Sequence, residues 1–262
     1  MHQTWLITGP PGCGKTSWIR DCLLQHSGAR AYLRLNGSIQ EGLEQSHNAG
    51  IDLAWLRDQV PELQNLAIEE LNAALPEDNC LLLIEVQQFR PSTRSSSNEI
   101  DLQIKRQLDQ LNLKPDRILQ FGVAPELPQQ DTLDFKRLEA WHLSLKGSVW
   151  DPNSLSSFWF ELVNGAYGDV YRAKALTNLP DGRSFFCNWM VSQQASQFLP
   201  LTSVEPPTGR PDRTSHLVVQ GKALDSAGIQ ATVKDCLLSD DVLEMQQARL
   251  RDQHQNLQPQ RK

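Results

Sequence analysis

Apolar and polar positions alternate between two periods along the first half of the chain. Thr4-Trp5-Leu6-Ile7-Thr8 is a short apolar run that meets Gly9-Pro10-Pro11-Gly12, which predicts a strand entering a tight loop. From Lys15 to Gln25, Trp18, Ile19, Cys22 and Leu23 recur at i, i+1, i+4 and i+5, a helical stripe. Ala31–Leu35 reads as a second strand, and the polar stretch 37–50 as a loop. Leu53 to Leu75 has a helical pattern that Pro61 splits in two. Cys80-Leu81-Leu82-Leu83-Ile84 is the continuous apolar run of a strand buried on both faces. A loop over 90–98, an amphipathic helix over Glu99–Leu113 and a strand over Arg117–Val123 follow. Strands alternating with helices imply parallel βαβ units, so the predicted fold class is α/β with a mostly parallel sheet.

The pattern changes after a Pro-containing stretch at 124–137. Strands are expected near 140–145, 169–179, 184–192 and 216–221, with helices over 155–164 and 226–237. That is a small α+β layout, with a Pro-rich excursion at 200–211. The end of the chain is rich in Gln and charge, as in a frayed helix or a disordered tail. The expected organisation is a nucleotide-binding type of domain over 1–137, an α+β domain over 138–240 and a charged, flexible tail over 241–262.

Composition narrows the classes. Of 262 residues, 39% are hydrophobic and 21% charged, enough for a buried core. The net charge of -6 argues against broad binding to nucleic acid or an anionic membrane, both of which need a basic face. No apolar run is long enough to span a bilayer, and polar Gly9–Gly12 interrupts the start before a signal-peptide core can form. Five scattered cysteines, odd in number and never spaced C-x-x-C, point to reduced thiols and a cytoplasmic location. Nothing in the pattern fixes an oligomeric state.

One motif carries chemistry. Gly9-Pro10-Pro11-Gly12-Cys13-Gly14-Lys15-Thr16 matches G-x-x-x-x-G-K-[ST] at every specified position, between a predicted strand and a predicted helix. In such a loop backbone N–H groups and the positive helix end cradle phosphates. Lys15 is then the charge on the β- and γ-phosphates, and Thr16 a Mg²⁺ ligand. The phosphate-binding segment is Gly9, Pro10, Pro11, Gly12, Cys13, Gly14, Lys15, Thr16 and Ser17. An acid at the end of the second apolar strand, Glu85, is the matching residue on the metal side, so Lys15 and Glu85 are the catalytic candidates. Arg172 and Lys174 alternate on one strand face and read either as an anion or carboxylate site or as a solvated sheet face. The tryptophans at 5, 55, 141, 150, 159 and 189 read as packing residues.

The P-loop, the strand ending Ile84-Glu85 and the C-terminal layout together resemble the CobW/HypB/UreG family of P-loop GTPases. Gly168-Asp169-Val170-Tyr171-Arg172-Ala173-Lys174-Ala175 resembles the G-x-x-x-R-A-K-G strand of the CobW C-terminal domain. His216-Leu217-Val218-Val219-Gln220-Gly221 resembles its later L-V-x-x-G strand. The resemblance implies GTP binding and slow hydrolysis with Mg²⁺, and delivery of a metal to a client metalloprotein. Three family motifs are altered. Residues 23–79 hold no cysteine, so C-x-C-C is missing; Gln88 stands where E-x-x-G has glycine; and Ala124-Pro125-Glu126-Leu127-Pro128 replaces N-K-x-D. His47 in that Cys-free stretch reads as a loop residue. Loops 37–50 and 86–98 are the expected nucleotide-sensitive segments. Two other readings stay open: an interaction module that binds nucleotide without turnover, and an ATP-using P-loop enzyme.

Overall fold

The computed structural model describes residues 3–9, 12–35, 49–65, 79–87, 102–121, 139–191 and 196–257. The chain divides into two compact units, Met1–Lys136 and Arg137–Lys262. The α/β reading holds: one unit carries a parallel sheet and the other a separate antiparallel sheet.

In the N-terminal unit the strands are β1 (Gln3–Gly9), β2 (Ala29–Leu35), β3 (Gln64–Asn65), β4 (Cys80–Gln87) and β5 (Arg117–Gln120). They lie in the order β3-β2-β4-β1-β5, all pairs parallel. The helices are α1 (Lys15–Gln25), α2 (Ala49–Gln59) and α3 (Leu102–Gln110). On one sheet face Leu6, Leu33, Leu35, Leu82, Ile84 and Val86 form a core with Ile104 and Leu108 of α3. The alternate positions, Ile7, Tyr32, Arg34 and Glu85, belong to the other face. Both faces are covered, which is why the β4 run is apolar without alternation up to Glu85.

The helical pattern read over Leu53–Leu75 is corrected at its start and over Pro61–Asn65, while residues 66–75 lie outside the described residues. Helix α2 starts earlier, at Ala49, and ends at Gln59; Glu62 then takes a left-handed conformation (φ 58) and Gln64–Asn65 pairs with Ala31 and Tyr32 of β2. A proline whose missing N–H ends the helix, followed by that turn, re-aims the chain to the sheet edge. The loops read at 37–50 and 86–98 lie mostly outside the described residues, as do His47, Gln88 and residues 122–138.

In the C-terminal unit β6 (Glu139–Ser144), β7 (Asp169–Asn178), β8 (Ser184–Met190), β9 (Gln197–Pro200) and β10 (His216–Lys222) form an antiparallel sheet in the order β6-β10-β7-β8-β9. Helices α4 (Pro152–Val163), α5 (Ser226–Cys236) and α6 (Asp240–Leu257) complete it. Asp151 caps α4 by accepting the Ser154 N–H at 2.8 Å, and Pro152 opens its first turn. Leu155, Phe158, Trp159 and Leu162 of α4 pack with Ile229 and Val233 of α5 on Ala173, Ala175, Cys187, Leu217 and Val219 of the sheet. Burying each large side chain of this core contributes roughly 1.5–3 kcal/mol.

Two features of this unit depart from the sequence expectation. Edge strand β9 was not expected, because all four of its residues are exposed and it lacks alternation. The stretch read as a frayed helix or a flexible tail is helical from Asp240 through Leu257 and docked, with Leu243 and Gln247, one turn apart, both buried. Gln247 donates to the carbonyls of Gly209 (2.9 Å) and Pro180 (3.4 Å) and accepts from the Gly209 N–H (2.7 Å). Arg251 donates to the Pro207 carbonyl (2.9 Å), and Arg210 to those of Leu238 (2.9 Å) and Gly147 (3.0 Å). These side chains fasten the Pro-rich segment 201–215. Among the described residues no helix is long and apolar enough to cross a membrane.

Burial pushes the Cys187 thiol up to about 12 from its ordinary value near 9. The neutral thiol is favoured in the fold, so its contribution to stability is complete below pH 9 and is lost as pH rises toward 12. Urea denaturation followed against pH should therefore show an alkaline decline that is shallower in Cys187→Ala than in the wild type.

Candidate functional site

Strand β1 delivers the loop and α1 receives it. Gly9 approaches Phe121 so closely that a Cβ built on it would lie 2.8 Å from the Phe121 Cβ, and the Phe121 N–H donates to the Thr8 carbonyl at 3.0 Å. Gly14, in the left-handed region at φ 86, is the N-cap of α1. A glycine cap supplies no side-chain acceptor, and the first turn of α1 contains no acidic residue. The positive end of α1 thus carries no negative side chain of its own first turn.

Lys15 is 3% exposed. Its Nζ donates to the Gly9 carbonyl at 2.8 Å and contacts Cys13 Sγ at 3.5 Å, so the side chain folds back across its own loop. Thr16 is buried and Ser17 exposed. The Thr16 hydroxyl donates to Asp52 Oδ1 at 3.3 Å. Asp52 Oδ2 in turn accepts from Arg34 Nη1 at 2.8 Å. Glu85, 1% exposed, accepts from the Tyr32 hydroxyl at 2.7 Å. It is the register partner of Arg34 on β2 and of Ile7 on β1.

Burial opposes the charge on Arg34, but the Asp52 and Glu85 carboxylates outweigh it and raise its pKa above the ordinary arginine value. Tyr32 is pushed well above its ordinary value, first by burial and then by Glu85. Arg34 therefore stays a cation and Tyr32 a neutral donor at physiological pH.

Asp52 is the residue that sequence reasoning missed. The helix was expected from Leu53 and the loop to end at 50, which left Asp52 in neither. Once α2 begins at Ala49, Asp52 falls among the buried positions Ile51, Trp55 and Leu56. An acid inside an apolar stripe was the available signal. Pro10 and Pro11 lie outside the described residues. Helices α1 and α2 are also tied by Arg20, whose guanidinium carbon sits 5.3 Å from the Trp55 ring centroid.

The other basic candidates do not form a solvated face. Arg172 and Lys174 are both buried; Arg172 Nη1 donates to Gln220 Oε1 at 3.0 Å, and Lys174 Nζ lies 5.4 Å from the centre of the Phe186 ring. They project from the sheet face opposite Ala173 and Ala175, with Gln220 as the cross-strand neighbour of Arg172.

Against models of known families, residues 130–237 match the cobalamin synthesis protein cobW C-terminal domain. The CobW likeness read from the Arg172–Lys174 and His216–Gly221 strands thus holds. β7 and β10, which carry those residues, are adjacent strands within the matched segment. Two solved structures are also similar to the chain. One is a Zn(II)-bound triple mutant of YjiA GTPase, at 13% identity over 90% of this chain and 99% of that one, with a TM-score of 0.31. The other is Zn(II)-bound YjiA GTPase from E. coli, at 12% identity over 89% and 98%, with a TM-score of 0.32. At these scores the two structures carry no argument, and the likeness to the CobW family rests on the match over residues 130–237. A comparison with curated proteins finds no match.

Removing the Asp52 carboxylate leaves Arg34 buried without its ion-pair partner. Asp52→Ala is expected to destabilise the N-terminal unit by about 3 kcal/mol in urea denaturation, because a broken buried pair costs more than the pair contributes.

Proposed function

We propose that the N-terminal unit binds a nucleoside triphosphate as its Mg²⁺ complex and that the protein is a CobW-like GTPase of slow turnover. The observation that carries this reading is Lys15, a buried cation folded over a glycine loop at a helix start that carries no acidic residue in its first turn. A phosphate chain entering there would meet the first N–H groups of α1 and draw the Lys15 ammonium from the Gly9 carbonyl. Gly9, Gly12, Cys13 and Gly14 would form the described part of the cradle, and Ser17 is exposed.

The donor set fits Mg²⁺. Thr16, Asp52 and Glu85 offer only oxygen, the atom this cation requires. The Thr16–Asp52 separation of 3.3 Å is long for a hydroxyl hydrogen bond. Bound there with the nucleotide, Mg²⁺ would offset the charge on the β- and γ-phosphates. Thr16 and Asp52 would hold it, and Glu85 would orient water on the same side.

The likeness of residues 130–237 to the CobW C-terminal domain, with the CobW-like sequence pattern, favours guanine over adenine. All five cysteines are free, which fits a reducing, cytoplasmic setting. Metal delivery to a client is the family's suggestion. Among the described residues no group of three His, Cys, Asp or Glu could hold a metal ion.

Calorimetric titration with GTP and with ATP, in Mg²⁺, tests this reading on the wild type and on Lys15→Ala. GTP should bind in preference, and Lys15→Ala should weaken it roughly tenfold to a hundredfold, the value of a charge-assisted hydrogen bond. Preference for ATP would overturn the guanine assignment, and binding without phosphate release would leave a non-hydrolysing module. Failure to bind either nucleotide would overturn the whole reading.

A further inference from the structure

The Asp52 carboxylate divides its two oxygens between different partners. Oδ1 faces the Thr16 hydroxyl on α1, and Oδ2 takes the Arg34 guanidinium from β2. The Arg34 side chain is 10% exposed and that of Asp52 5%. A buried ion pair of this kind is weak evidence for stability, since apolar residues of the same volume often serve as well. Its location offers another reason for it. Arg34 lies near the end of β2, level with Glu85 in the strand register, and so borders both the Asp52 and the Glu85 carboxylates.

A guanidinium is planar and keeps its donors in a fixed fork, so it sets the orientation of the carboxylate it binds. With Oδ2 tied to Arg34, rotation of the Asp52 carboxylate is restricted and Oδ1 stays directed at Thr16. We propose that Arg34 is a positioning residue, which holds Asp52 Oδ1 beside the Thr16 hydroxyl and thereby sets how tightly the nucleotide complex retains Mg²⁺. This rests on the Mg·nucleotide reading above. Arg34 does not itself reach the metal in this role: it keeps its own oxygen of the carboxylate, and the other oxygen serves the site. Partners that orient a metal ligand from behind typically change metal affinity by about 10–100-fold when removed.

The test measures GTP binding at fixed GTP while Mg²⁺ is varied, for the wild type, Arg34→Met and Arg34→Lys, and repeats each titration in EDTA. Arg34→Met should raise the half-saturating Mg²⁺ concentration by about 10–100-fold while GTP binding in EDTA stays unchanged. Arg34→Lys, which keeps the charge but loses the fork, should recover only part of that loss. It also carries the test if Arg34→Met does not fold. The double variant Arg34→Met/Asp52→Asn should need no more Mg²⁺ than Asp52→Asn alone, because both act through one carboxylate. A half-saturating Mg²⁺ concentration that does not move would overturn the inference. So would equal losses with and without Mg²⁺, which mark a purely structural ion pair. GTP binding by the wild type that ignores Mg²⁺ would overturn Arg34's role and leave nucleotide binding intact. A wild type that binds neither GTP nor ATP would overturn both.

Discussion

The pairing of β1 with β4 fixes the geometry of the N-terminal unit. Parallel strands in this register put Gly9 opposite Gln87 and Ile7 opposite Glu85, so the glycine loop leaves the sheet at the level where β4 ends. β2 pairs with the other edge of β4 and sets Arg34 beside Glu85. No loop conformation is needed to bring these groups together: ladder hydrogen bonds between buried strands do it, and the apolar run from Cys80 to Ile84 anchors that ladder between two covered faces. Glu85 and Arg34 are therefore carried by paired strands of the buried sheet.

The two faces of this sheet have different chemistry. The one under α3 is aliphatic, with Leu6, Leu33, Leu82, Ile84 and Val86. The other holds Tyr32, Arg34 and Glu85, and α2 adds Asp52. Placing two acids, a guanidinium and a phenol in a dry layer is unfavourable unless each finds a partner, and the Tyr32–Glu85 and Arg34–Asp52 bonds supply them. Charge is thus balanced among neighbours instead of being screened by water. A similar economy of space holds in the second unit, where Arg172 is matched with Gln220 and Lys174 with an aromatic ring.

How much of this was legible depended on how local the cause was. The loop from Gly9 to Thr16, the strand ending in Glu85 and the stripe of α1 are written in consecutive residues, and so are the strands carrying Arg172 and His216. Asp52 was not legible because its role requires Thr16 and Arg34, 36 and 18 residues away in sequence. β3 was hidden because Gln64–Asn65 has no strand pattern and exists only through the edge of β2. The burial of Arg172 and Lys174 was hidden too, since an alternating basic pattern reads as solvated until its surroundings are known. Helix α6 looked like a tail because Gln and charge dominate its composition; two buried positions in one stripe, Leu243 and Gln247, were enough to dock it.

The segment from 201 to 215 shows what such docking implies. It owns no regular ladder, and its backbone oxygens at Ser203, Pro207 and Gly209 are met by Arg213, Arg251 and Gln247. Its path is thus dictated by a few side chains, two of them on α6. Between those fastening points the chain is free to gain or lose residues with little consequence for the sheet. At the fastening points a single lost amide or guanidinium strands a main-chain oxygen. Sequence variation in this region should accordingly appear as changes of length more than as changes at Gln247 or Arg251.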